Sequence, residues 1–217
     1  MEAVIFDMDG VLIDSEPASK QAFAKAFAAV DIEFTEDMYQ KMLGRSLKDI
    51  EQFLARYYED AQLAQKIIEI REYEFAQHYK VYPVDLKAGV FDLLDFLDSQ
   101  NLKKAVATSA KKNVAEELLR QANLWNRMDA HCYGSEVEEA KPDPELFIKA
   151  ASRLGIPPEK AYVIEDSQSG IIAANRGGFV PIYVPEEKDE FPAVHSYKYS
   201  LFNNLSEFQH SLCSKRS

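Results

Sequence analysis

Apolar residues recur along this chain with two different periods, and the points where the period changes divide it. Residues 2–7 carry the run Val4-Ile5-Phe6, β-branched and aromatic, which reads as a buried strand. From Asp14 onward the spacing becomes helical. Ser15-Glu16-Pro17 predicts a helix start with Ser15 as its cap, and Ala18, Ala22, Phe23, Ala26, Phe27 and Val30 follow on one face. Thr35-Glu36-Asp37 opens a second helix. Leu43-Gly44-Arg45-Ser46 is a break, after which Ser46 caps a third helix ending near Tyr58. A fourth helix runs from Asp60 to about Tyr79, with Leu63, Ile67, Ile70 and Phe75 inward.

After Val81-Tyr82-Pro83 short apolar runs alternate with helical stretches. Strands are expected at 104–108, 129–133, 161–164 and 179–184, and helices at 88–97, 111–122, 144–154, 168–176 and 205–212. Such alternation implies βαβ units and a parallel sheet. The economical fold is an α/β core built from residues 1–13 and 83–217, interrupted by an all-helical insertion at 14–82. Lys188-Asp189-Glu190 reads as a solvated loop.

In a parallel sheet the C-terminal strand ends share one edge, where ligands bind. The first strand ends in Asp7-Met8-Asp9-Gly10, and Gly10 lets the backbone leave sharply at positive φ. Alone, this could be a strand and an Asp-Gly turn that Asp9 merely supports. The 104–108 strand, however, ends in Thr108-Ser109. The 161–164 strand ends in Glu165-Asp166, followed by Ser167 and Gly170, and Ala140-Lys141-Pro142-Asp143-Pro144 sets a lysine before a helix. Acids gathered on one edge repel unless a cation joins them. Oxygen donors without His or Cys disfavour zinc and suit Mg²⁺, which keeps waters and accepts phosphate oxygens. A hydroxyl, an ammonium and backbone N–H groups can hold a phosphate. The set fits phosphoryl transfer, one Asp attacking phosphorus and a second acid handling the proton.

Bulk properties narrow the partners. The 217 residues carry 36 acids against 25 bases, a net charge of −11. That field opposes nucleic acid and anionic membranes, and an anionic substrate would need local cations. Cys132 and Cys213 fit no metal or redox spacing, which suits a reducing compartment. No signal-peptide pattern or bilayer-length apolar run is present. The expectation is a cytoplasmic monomer acting on a small phosphorylated metabolite, with no nucleic acid or membrane partner. His78, His131, His195 and His210 share no pattern and read as structural or surface residues, and Leu124, Trp125 and Met128 as core.

Asp7-Met8-Asp9-Gly10-Val11, Thr108-Ser109, Lys141-Pro142-Asp143-Pro144 and Val163-Ile164-Glu165-Asp166-Ser167 resemble, in order and spacing, the four motifs of the haloacid dehalogenase-like superfamily. The closest likeness is to the branch with a helical cap after the first motif, which includes β-phosphoglucomutase and sugar phosphatases. The resemblance implies a Rossmann-like parallel-sheet core, with the insertion as an α-helical cap that closes over the site. It implies Asp7 as nucleophile, forming an aspartyl-phosphate, and Asp9 as the acid that protonates the leaving oxygen and later activates water. Ser109 is favoured over Thr108 as the phosphoryl-holding hydroxyl, and Lys141 neutralises charge. Mg²⁺ would be held by Asp7, the Asp9 backbone carbonyl and Asp166, with Glu165 binding directly or through water. The presence of Asp9 disfavours the dehalogenase branch.

Lys111-Lys112-Asn113 resembles the mutase segment that holds the substrate's second phosphate, so Lys112 and Asn113 are candidate substrate contacts, as is Arg45. The mutase likeness also implies a histidine at Ser19 and an arginine at Leu47, and the chain departs from both. The expected activity is therefore a phosphatase, with the mutase as alternative. A binding protein that kept the fold would not need the whole motif set, and a phosphate-accepting receiver domain would lack the insertion.

Overall fold

A computed structural model describes residues 1–43, 45–185 and 196–214. Gly44, Lys188-Asp189-Glu190 and His195 lie outside the described residues. The chain forms two compact units, Ser15–Val84 and the combination of Met1–Asp14 with Asp85–Ser217.

The unit Ser15–Val84 contains α1 (Glu16–Ala28), α2 (Glu36–Met42), α3 (Leu47–Tyr57) and α4 (Ala61–Val81). Its core gathers Phe23, Phe27, Met42, Leu54, Ala64, Ile67 and Ile68. On α4 the buried positions are Ala64, Ile67, Ile68, Phe75 and Tyr79, with Leu63 and Ile70 half-buried at the margin. Three helices begin on side chains that accept backbone N–H groups: Thr35 from Met38 at 3.2 Å, Ser46 from Asp49 at 3.1 Å, and Asp60 from Gln62 and Leu63, both at 2.9 Å. Ser15 departs from the expectation. It precedes α1 but has a near-helical backbone, φ −94° and ψ −6°, and makes no side-chain capping bond. A capping hydroxyl reaches the first free N–H groups from an extended backbone.

The other unit is a parallel sheet of β1 (Ala3–Phe6), β2 (Lys103–Thr108), β3 (Ala130–Tyr133), β4 (Ala161–Glu165), β5 (Val180–Tyr183) and β6 (Ser200–Leu201). Around it lie α5 (Val90–Ser99), α6 (Lys112–Gln121), α7 (Glu145–Leu154), α8 (Gln168–Arg176) and α9 (Leu205–Ser214). The strand order is β3-β2-β1-β4-β5-β6, with every pair parallel. The chain builds outward from β1 in one direction and then returns to build from β4 in the other. The gap between β1 and β4 is thus the topological switch point, where open sheets bind ligands. Phe6 pairs with Val106 on one side and Ile164 on the other.

All four residues of β1 are buried, as in a parallel sheet covered on both faces. Ile5, Ala105, Ala107 and Val163 share a core with Leu146, Phe147 and Ala150 of α7. Fully burying a side chain such as Phe147 contributes about 1.5–3 kcal/mol. The helix expected from 88 starts at Val90, because Gly89 is left-handed at φ +84°. The two-residue β6 is too short to leave an alternating pattern. Trp125 is half-buried rather than core, its ring stacked on His131 with centroids 3.9 Å apart. Among the described residues no helix is long and apolar enough to cross a membrane.

Asp60→Ala removes the acceptor that starts α4 and is expected to lower stability by about 1 kcal/mol, read from urea unfolding curves.

Candidate active site

The sheet register carries the site. The Asp7 N–H donates to the Ile164 carbonyl at 3.0 Å, so the ladder continues one residue past β1. Side chains alternate across a strand, which puts Asp7 on the face of Ile5 and Glu165 on the face of Val163, side by side. That face is covered by α7, and Lys141 lies in the turn just before it. The turn is fixed by Asp143 N–H on the Ala140 carbonyl and by Glu145 N–H on Asp143 Oδ1, both at 2.9 Å. Lys141 Nζ then reaches between the strands. It lies 2.5 Å from Asp7 Oδ1, 2.6 Å from Glu165 Oε1 and 3.4 Å from the Ala107 carbonyl. The Phe147 ring lies 4.7 Å from the ammonium. Asp7 and Lys141 are each 7% exposed and Glu165 0%, so these charges meet with little screening.

Burial pushes the Asp7 carboxyl up to about 7; Lys141 opposes the rise, while Glu165 and Asp9 add to it. Burial alone would lower the Lys141 ammonium, but the Asp7 and Glu165 carboxylates outweigh it and raise it. Lys141 therefore stays charged, and its one positive charge is shared among more than one acid. A further cation beside Asp7 would favour its ionised form.

The donor set suits one. A carboxylate oxygen from each of Asp7, Glu165 and Asp166 lies within 4.8 Å of the others. All are hard oxygen donors, the chemistry that Mg²⁺ selects. Asp166 sits close over Gly10, where a Cβ would fall 1.9 Å from Asp166 Oδ2 and φ is +77°. Asp9 is half-buried in the tight loop behind Gly10, in which the Leu12 and Ile13 N–H groups both donate to the Met8 carbonyl at 2.9 Å.

The two candidate hydroxyls separate. Thr108 is 1% exposed, and its Oγ1 accepts the Ala110 N–H at 3.0 Å, closing the turn after β2. Ser109 is exposed. Its carbonyl presses on Gly134, where a Cβ would fall 2.3 Å away. Gly134 was not singled out from the sequence; a lone glycine directly after a strand is the signal that could have found it. Lys112 and Asn113 are exposed at the start of α6, with Lys112 Nζ 3.9 Å from Glu116 and over the Tyr133 ring at 6.0 Å. Arg45, in the helical unit, is exposed with its guanidinium 5.2 Å from the Phe53 ring. Ser19, where the mutase likeness implied histidine, accepts a hydrogen bond from Arg71 Nη2 at 2.8 Å.

The model of the haloacid dehalogenase-like hydrolases matches residues 4–184. The chain belongs to that family. This hydrolase is 35% identical over 185 residues to a phosphorylated carbohydrates phosphatase of Thermotoga maritima, covering 84% of each chain. It is 28% identical over 191 residues to a beta-phosphoglucomutase of Bacillus subtilis, covering 85% of this chain and 83% of that one. Its fold matches the crystal structure of CbbY from Rhodobacter sphaeroides in complex with phosphate, with a TM-score of 0.78 and 27% identity over 95% of this chain and 96% of that one. The expected α/β core with a parallel sheet is thus the fold of this hydrolase family.

Gly10→Ala combines a left-handed backbone with overlap onto Asp166, so it is expected to destabilise the protein by more than about 1 kcal/mol. A melting curve that matches the wild type would show that the Asp166 placement does not depend on this glycine.

Proposed function

We propose that this hydrolase is a Mg²⁺-dependent phosphatase of a small phosphorylated carbohydrate, working through a phosphoryl group carried on Asp7. The observation that carries this reading is the buried Lys141 ammonium held against Asp7 and Glu165, with Asp166 beside them. The relative named as a phosphorylated carbohydrates phosphatase supports the substrate class.

In the first half-reaction an Asp7 oxygen attacks phosphorus, the phosphate ester bond breaks, and Asp9 gives its proton to the leaving oxygen. In the second, Asp9 takes a proton from water, the water oxygen attacks phosphorus, and the bond to Asp7 breaks, releasing phosphate and restoring both acids. The Lys141 ammonium offsets the charge gathering on the phosphoryl oxygens, and the Ser109 hydroxyl holds one of them. Asp7, Asp166 and the Asp9 carbonyl, with Glu165 directly or through water, would hold Mg²⁺, which supplies the positive charge that keeps Asp7 ionised. Thr108 Oγ1, accepting the Ala110 N–H, braces the loop that carries Ser109.

A mutase reading draws on the beta-phosphoglucomutase relative and on Lys112 and Asn113 as holders of a second phosphate. Against it stand Ser19 and Leu47 in place of the histidine and arginine that the likeness implies, and the pairing of Lys112 with Glu116. The phosphatase is therefore preferred. A cytoplasmic monomer without nucleic acid or membrane partners accords with the charge of −11.

With Mg²⁺ the purified protein is expected to hydrolyse p-nitrophenyl phosphate and to release inorganic phosphate from at least one member of a phosphosugar panel, and EDTA should stop both. Asp9→Asn should lower kcat by about 10²–10⁴-fold with the fold intact. Interconversion of sugar phosphates without phosphate release would favour the mutase, and no turnover of any kind would end the proposal.

A further inference from the structure

Glu165 is fully buried, and both of its oxygens are engaged by the protein. Oε1 accepts from Lys141 at 2.6 Å. Oε2 accepts from the Ser167 hydroxyl at 2.8 Å and the Ser167 N–H at 3.2 Å. The Ser167 Oγ in turn accepts the Gly170 N–H at 3.1 Å and lies 3.4 Å from Ser169 Oγ. Gly170 belongs to the same arrangement: a Cβ there would fall 1.9 Å from Glu165 Cδ. The first turn of α8 is thus folded around one carboxylate, and a continuous hydrogen-bonded path runs from Gly170 through Ser167, Glu165 and Lys141 to Asp7.

We propose that Ser167 is a positioning residue for phosphoryl transfer. By clamping Glu165 Oε2 it fixes the carboxylate that holds the Lys141 ammonium against Asp7, although Ser167 itself touches no reacting atom. Without the hydroxyl, Glu165 loses the shorter of its two restraints on that oxygen. The ammonium then explores positions in which it neutralises the transferring group less well, and interactions needed only in the transition state are the ones weakened. The inference rests on the phosphatase reading for its effect on rate, but its structural part stands apart from turnover.

The test uses Ser167→Ala and Ser167→Thr in the full chain, with Asp60→Ala as a control that removes a helix cap outside the catalytic machinery. With p-nitrophenyl phosphate and saturating Mg²⁺, Ser167→Ala should lower kcat about tenfold with KM little changed, a loss of about 1.4 kcal/mol of transition-state stabilisation. Ser167→Thr should recover most of it, and Asp60→Ala should keep wild-type kcat. In protein labelled with ¹⁵N at lysine Nζ, the Lys141 ammonium signal, assigned by its loss in Lys141→Arg, should be sharp in the wild type and Ser167→Thr and broadened by faster exchange in Ser167→Ala. An unchanged ammonium signal, or equal rate loss in Ser167→Ala and Ser167→Thr, overturns the inference. If the wild type releases no phosphate, the proposed function fails while the ammonium signal still decides this one.

Discussion

One buried ammonium between two buried carboxylates is the interaction on which this site depends. Removing either kind of partner from such a cluster leaves a charge without water and without a counter-ion, at a cost of about 3–5 kcal/mol. Lys141 lies 134 positions from Asp7 in the chain and 24 from Glu165, so a stretch before α7 is tied to the ends of both switch-point strands. The same contact leaves the site short of positive charge. Asp7 is pushed up to about 7 despite an ammonium 2.5 Å away, because burial and the neighbouring acids outweigh one cation. Structure and proposed chemistry meet in that imbalance: the acids that hold Lys141 in place also form, with Asp166, a cluster of hard oxygen donors that suits a divalent cation.

Small residues make the crowding possible. Ala105 and Ala107 leave room beside β1 for a lysine side chain to run into the sheet, and Lys141 lies within 3.4 Å of the Ala107 carbonyl. Gly10 admits the Asp166 carboxylate, Gly134 the Ser109 backbone and Gly170 the Glu165 side chain. None of these carries chemistry of its own. Gly10 and Gly170 each let a carboxylate, and Gly134 a backbone carbonyl, come closer than a Cβ would allow, which is how one sheet edge accommodates several acids, an ammonium and two hydroxyl loops.

Much of this was legible before any coordinates. The strands β1, β2 and β4 announce themselves as apolar runs because a parallel sheet covered on both faces buries nearly all of their residues, Lys103 at the start of β2 being the exposed one, and the acids and hydroxyls stand out by ending those runs. Helix starts marked by Thr35, Ser46 and Asp60 were readable for a local reason: a cap acts on amides two or three positions away. What escaped depends on distant partners or on backbone angles. Ser15 has a suitable side chain and an unsuitable ψ. On α4 the expected Ile67 and Phe75 are buried, but Ala64 and Ile68 join them while Leu63 and Ile70 stay half-buried, a choice set by the helices it packs on. The clamp of Ser167 on Glu165 is adjacent in sequence, yet its purpose appears only once Lys141 is seen on the other oxygen. Arg45, Lys112 and Asn113 keep ordinary exposed surroundings, and their roles rest on the substrate.

The claim that a further cation beside Asp7 favours its ionised form is tested most directly by the rise in melting temperature that Mg²⁺ gives to metal-free protein, measured across pH. Burial and the neighbouring acids push the Asp7 carboxyl up to about 7, so a proton competes with Mg²⁺ for it more strongly as the pH falls. The Mg²⁺-induced rise should therefore be small near pH 6 and grow through pH 8, and Asp7→Asn should abolish that growth. A rise of the same size at every pH, or no rise at all, would contradict the account.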